Sequence, residues 1–104
     1  MSKGNLAAQA PLLACLADLA VSHPDLPGAY FVSSKVVPNE LTVQLKSPRE
    51  VEAWREALGV PVEEIFVDWL GGRPSVEFEA TVHGVDFHVY AAYEAATAEV
   101  AGAS

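Results

Sequence analysis

The sequence predicts an α+β domain in which an antiparallel sheet of about five strands carries two helices on one face. Three observations point there. Residues 76–91 alternate apolar and polar side chains with period 2, which is the signature of strands with one face buried. Two other stretches repeat their apolar residues at helical spacing. Every one of these elements has a single apolar side, and a layer of helices on a layer of sheet buries all of them at once.

The first helix is expected from Gln9 to Ser22, with Leu12, Leu13, Leu16, Leu19 and Ala20 as its apolar positions and Pro11 tolerated in the first turn. His23-Pro24 stops it, and Asp25-Leu26-Pro27-Gly28 has turn chemistry. Ala29 to Val37 is rich in β-branched and aromatic residues. After Pro38-Asn39, Leu41, Val43 and Leu45 alternate with Thr42, Gln44 and Lys46, which predicts a second hairpin. Ser47-Pro48-Arg49-Glu50 is the clearest helix start, combining an N-cap serine, a proline at N1 and a glutamate at N3. Val51, Trp54 and Leu58 form its buried stripe, Gly59 ends it, and Glu52, Arg55 and Glu56 are expected to face solvent.

Val60 to Leu70 satisfies two periods. Val62, Ile65, Phe66, Trp69 and Leu70 fit a helix, whereas the β-branched and aromatic content and the Gly71-Gly72 loop that follows favour a strand from about Glu64 to Leu70. The strand is the better choice, because it completes a three-stranded meander. As a strand it has two apolar sets in opposite phase, one of which must face outward as a candidate protein–protein surface. The final pair of strands turns at His83-Gly84. Val82 then faces Val85, Ala80 faces Phe87 and Phe78 faces Val89, while Thr81, Glu79 and Glu77 meet Asp86, His88 and Tyr90 on the other face. The ends, residues 1–5 and about 94–104, are expected to be loosely ordered tails of a single domain, residues 1–104.

Trp54 in a short helix, the Leu58-Gly59 stop and the closing Gly84-Val-Asp-Phe-His-Val-Tyr90 give the second half of the chain a resemblance to small uncharacterised actinobacterial and actinophage α+β proteins. The seventeen alanines beside one isoleucine suit a high-GC genome. The resemblance implies a fold and no function.

The net charge of −8 is confined to residues 47–104, because residues 1–46 hold three acids and three bases. That sign opposes direct binding to a phosphate backbone and suits either a basic protein partner or simple solubility. No stretch approaches the ~20 apolar residues of a membrane span. Leu12-Leu13-Ala14-Cys15 has the form of a lipoprotein cleavage box, but Gln9 and Pro11 interrupt the run and it continues as an amphipathic helix. With a lone cysteine as well, a cytoplasmic location is expected.

The densest group of chemistry-bearing residues is Glu79 beside His88, with Glu77, Thr81, Asp86 and Tyr90 around them on one sheet face. A carboxylate next to an imidazole is an acid/base pair in form, which makes Glu79 and His88 the catalytic candidates. Glu79, Asp86 and His88 carry the donor types of a divalent metal site. The plainer account is a solvated cross-strand pair worth at most ~1 kcal/mol, since an open sheet face offers no enclosed pocket. Cys15 reads as a buried thiol, His83 as a turn residue that tolerates positive φ, and Gly71-Gly72-Arg73 as a loop. There is no nucleophile elbow, phosphate loop or CxxC, and no cofactor is expected.

The favoured function is therefore a non-enzymatic interaction or regulatory protein, homodimeric, with Glu77, Glu79, Asp86, His88, Tyr90, Phe66 and Trp69 as its interaction surface. One alternative is a small metal-binding or acid/base enzyme using Glu79, Asp86 and His88. Another is an acidic phage-type inhibitor that imitates nucleic acid.

Overall fold

The computed structural model describes residues 5–93, and the C-terminal tail expected from about residue 94 lies outside them, as do residues 1–4 of the N-terminal one. Asn5 accepts a hydrogen bond from the Ala8 amide and opens a 3-10 turn, Leu6–Gln9, which runs into helix α1, Ala10–Ser22. The strand pair β1, Tyr30–Ser33, and β2, Glu40–Gln44, is antiparallel. Helix α2 is Pro48–Leu58, and the meander follows as β3, Phe66–Leu70, β4, Arg73–Val82, and β5, Val85–Ala92.

The closing hairpin has the register its alternation requires, from Val82 opposite Val85 to Glu77 opposite Tyr90. His83 and Gly84 both take positive φ, 51° and 78°. That is the backbone of a type I′ turn, whose twist matches the strands it joins. The helical period of residues 62–70 survives only as a 3-10 turn at Val62–Glu64, after which β3 runs as a strand.

One expectation is corrected. The five strands lie in the order β1-β2-β5-β4-β3, and β2 pairs with β5 in parallel, so the sheet is mixed rather than purely antiparallel. The cause is the helix between the two hairpins. Returning along α2, the chain starts β3 in the same direction as β2. Two reversals later β5 points that way again, in the slot beside β2.

Both helices cover the face formed by Leu41, Val43, Phe78, Val85, Phe87 and Val89, which with Leu12, Cys15, Val51 and Trp54 make one buried core. In α1 the buried stripe is Leu12 and Cys15, with Leu16 and Leu19 half-buried. Leu13 and Ala20, expected inside, are exposed because the helix is rotated to bring the smaller Cys15 onto the sheet. The Cys15 thiol is pushed up in pKa, chiefly by burial and then by Asp18, which keeps it protonated and inert.

The start of α2 is capped as its residues dictate. Ser47 Oγ accepts from the Glu50 amide at 3.4 Å, and Glu50 Oε1 accepts from the Lys46 amide, one residue before the cap. At the other end Gly59 is left-handed at φ 72°, and its N–H returns to carbonyls of the last turn. Arg55 was expected in solvent, yet its side chain is 14% exposed. It folds back to pair with Glu52 through Nε at 2.9 Å and through a second guanidinium nitrogen, and it also donates to the Val60 carbonyl just beyond the helix.

The Arg55 hydrogen bond, and secondarily its charge, holds the Glu52 carboxyl below the ordinary carboxylate range, while partial burial opposes the shift. A carboxyl lowered in the folded state stabilises the fold above its unfolded pKa, and that contribution disappears as pH falls through the folded value. Wild type is therefore expected to exceed Glu52→Gln in stability at neutral pH. Urea melts along a pH series should show the gap narrowing below about pH 5, where unfolded glutamate begins to titrate.

Candidate functional site

The side of the sheet away from the helices is built in three rows. Register places Glu40, Asp86 and Thr81 side by side across β2, β5 and β4, then Thr42, His88 and Glu79, then Gln44, Tyr90 and Glu77. Phe66 on β3 extends the third row. Period-2 alternation on each strand puts these residues on one face, and the strand order makes them neighbours.

Asp86 is the best anchored. One carboxylate oxygen accepts from Thr81 Oγ1 at 2.7 Å and the other from Asn39 Nδ2 at 3.3 Å. His88 is half-exposed and lies nearly parallel to the Tyr90 ring, with centroids 5.6 Å apart. Its Nε2 donates to Glu77 Oε1 at 2.7 Å.

This revises the pairing drawn from sequence. Glu79 does sit directly across from His88, but the imidazole bonds the diagonal neighbour, Glu77. Register sets Glu77 between Phe66 and Tyr90, and only 4% of it is exposed. A carboxylate so placed needs a donor, and the imidazole within reach provides one. Glu79 is exposed and has no hydrogen bond or ion pair among the described residues. Glu77 is thus the carboxylate that the open face does not leave outside.

Of the expected interaction residues, Glu77, Glu79, Asp86, His88, Tyr90 and Phe66 share this face. Trp69 does not: it is opposite Pro74, in the phase of Val67 and Val76, and points to the helix side. It is exposed there, as Val67 is, because the helices pack mainly on β4 and β5 rather than on the β3 edge. Both phases of β3 are therefore open to solvent.

Glu40, Thr42, Glu79, Thr81, Asp86 and His88 line a shallow trough of about 400 Å³ along β2, β5 and β4. Three carboxylates and no lysine or arginine face it. Among the described residues no group of three or more His, Cys, Asp or Glu is arranged to hold a metal ion, so Glu79, Asp86 and His88 share a face without converging on a point. Glu40 and Thr42 were absent from the sequence-derived surface. Their alternation with Leu41 and Val43 marks an outward face, but the parallel contact that makes them part of the trough has no signature within β2.

Comparison with protein-family models, with curated proteins and with solved structures finds no match for this chain. Among the described residues, no helix is long and apolar enough to cross a membrane.

Proposed function

We propose that this chain is a non-enzymatic interaction module of the cytoplasm, able to self-associate, whose open sheet face receives a basic segment of another protein. The observation that carries the reading is the trough, where Glu40 and Glu79 stand exposed on either side of anchored Asp86 with no lysine or arginine among the lining residues. Carboxylates already placed by strand register lose little freedom on meeting lysine or arginine, and a face of one sign speeds the encounter with a partner of the other. The Glu77–His88 pair acts as scaffolding, fixing the imidazole and the Tyr90 ring as the floor of one end.

The test is binding of a fluorescein-labelled lysine-rich peptide, followed by anisotropy over a salt series. Wild type should bind at low salt and weaken as salt is added. The double variant Glu40→Lys/Glu79→Lys should bind about tenfold or more weakly, equivalent to about 1.4 kcal/mol, with its circular dichroism unchanged. Glu63→Lys/Glu64→Lys makes the same change in net charge in the 3-10 turn, away from the trough, and should lose much less. Equal losses in the two double variants, or no binding by wild type at low salt, would overturn the proposal.

A further inference from the structure

The structure assigns the self-association in that reading, on which this inference rests, to the outer strand β1: we infer that two copies join edge to edge there, continuing the sheet across a two-fold axis. Strand β1 pairs with β2 on one side only, and every one of its residues is exposed. Tyr30 is 73%, Phe31 46% and Val32 59% accessible, a concentration of large apolar side chains that a permanent sheet edge normally avoids.

Charge selects a second copy as the occupant. Leu26 to Ser34 contains no Asp, Glu, Lys, Arg or His, and residues 1–46 are balanced while the rest of the chain carries the −8. Two such molecules repel wherever their acidic halves meet, and the β1 end is where they can approach without that repulsion. In the joined sheet the two β2 strands, which begin the acidic troughs, are three strand spacings apart, roughly 14 Å. That exceeds the ~8 Å screening length at physiological ionic strength.

The pairing is also self-complementary. An axis perpendicular to the sheet keeps each face continuous, so a residue must meet one of its own parity. Centred on Phe31, the register sets Phe31 against its own copy on the helix side and Tyr30 against Val32 of the partner on the open side. Aromatic–aromatic and aromatic–β-branched pairs are among the favourable cross-strand combinations. Phe31 also borders an apolar recess of about 240 Å³ that includes Leu16, Leu19, Leu26 and Trp54, so the joined phenylalanines would lie over apolar ground.

The opposite edge is guarded. Asp68 sits at the centre of β3, and its Oδ1 accepts from the Trp69 amide at 2.8 Å. A second β3 strand laid in full overlap would set two aspartates face to face, and like charges directly opposite are destabilising.

A four-residue edge makes a small interface, so the dimer should build up with concentration. Sedimentation velocity of the intact chain from micromolar to millimolar is expected to show a reversible monomer–dimer shift. Amide exchange of residues 30–33 should slow over the same range. Val32→Lys should raise the dimer dissociation constant tenfold or more, whereas Val67→Lys, equally exposed at the β3 edge, should leave it unchanged. A monomer throughout, no slowing of exchange at β1, or equal effects of the two lysines would overturn the inference. The exchange measurement uses wild type alone, so it decides the matter even if Val32→Lys fails to fold. A chain that binds the lysine-rich peptide but never dimerises removes this inference only, and one that dimerises but ignores the peptide removes only the trough.

Discussion

Phe78→Ala is expected to cost about 3–5 kcal/mol, the range for emptying a fully buried aromatic site. Phe78 has no exposed surface, faces Val89 across the central hairpin and belongs to the cluster with Phe87, Val51 and Trp54 beneath the helices. Its removal takes away both the transfer free energy of the ring and the contacts of everything that lined it. Because domains of this size are stable by only about 5–15 kcal/mol, the variant should be close to unfolding at room temperature. Urea denaturation followed by tryptophan fluorescence measures the loss. Phe66→Ala is the matched control: it lies one strand away on the open face, 41% exposed, and should cost about 1 kcal/mol or less. Similar losses for the two phenylalanines would mean that the helices do not seal the face assigned to them.

Trp54→Ala should be comparably severe, about 3–5 kcal/mol, but with a different signature. The indole is 3% exposed, its N–H donates to the Pro27 carbonyl at 2.9 Å, and Phe31 meets its ring edge-on at 6.1 Å. It ties α2 to the turn before β1 as well as filling the core. Trp54→Phe should keep most of the packing and lose the hydrogen bond, at about 1–2 kcal/mol. In Trp54→Phe, amide exchange should accelerate at residues 26–33 more than in β4 and β5. A uniform acceleration would show that the indole acts through the core alone. Since Trp54 holds the segment that presents β1, the same variant should also weaken self-association.

Local chemistry was legible wherever a residue's role depends on its immediate neighbours. Ser47, Pro48 and Gly59 bound α2 for reasons contained in single residues: a capping hydroxyl, a fixed φ and a missing Cβ. The His83-Gly84 turn and the alternation on both sides of it leave one acceptable register for β4 and β5, and that register is present. Phe78, Phe87 and Val89 are consequently inside and Glu79 outside.

The tertiary structure decided the rest. No property of β2 announces that β5 will lie beside it in parallel, since the same alternating face suits a neighbour running either way. That one adjacency brings Glu40 and Thr42 to Asp86 and His88 and makes the trough. The choice of Glu77 over Glu79 as partner of His88 likewise depends on Phe66 and Tyr90 flanking the carboxylate, which requires β3 to be in place. Arg55 turns inward because a carbonyl beyond the helix end lies within reach of its guanidinium. Periodicity determines which face of an element is apolar, because it is a property of one segment of chain. Which elements become neighbours, and so which polar groups meet, is settled by how several such faces are buried together.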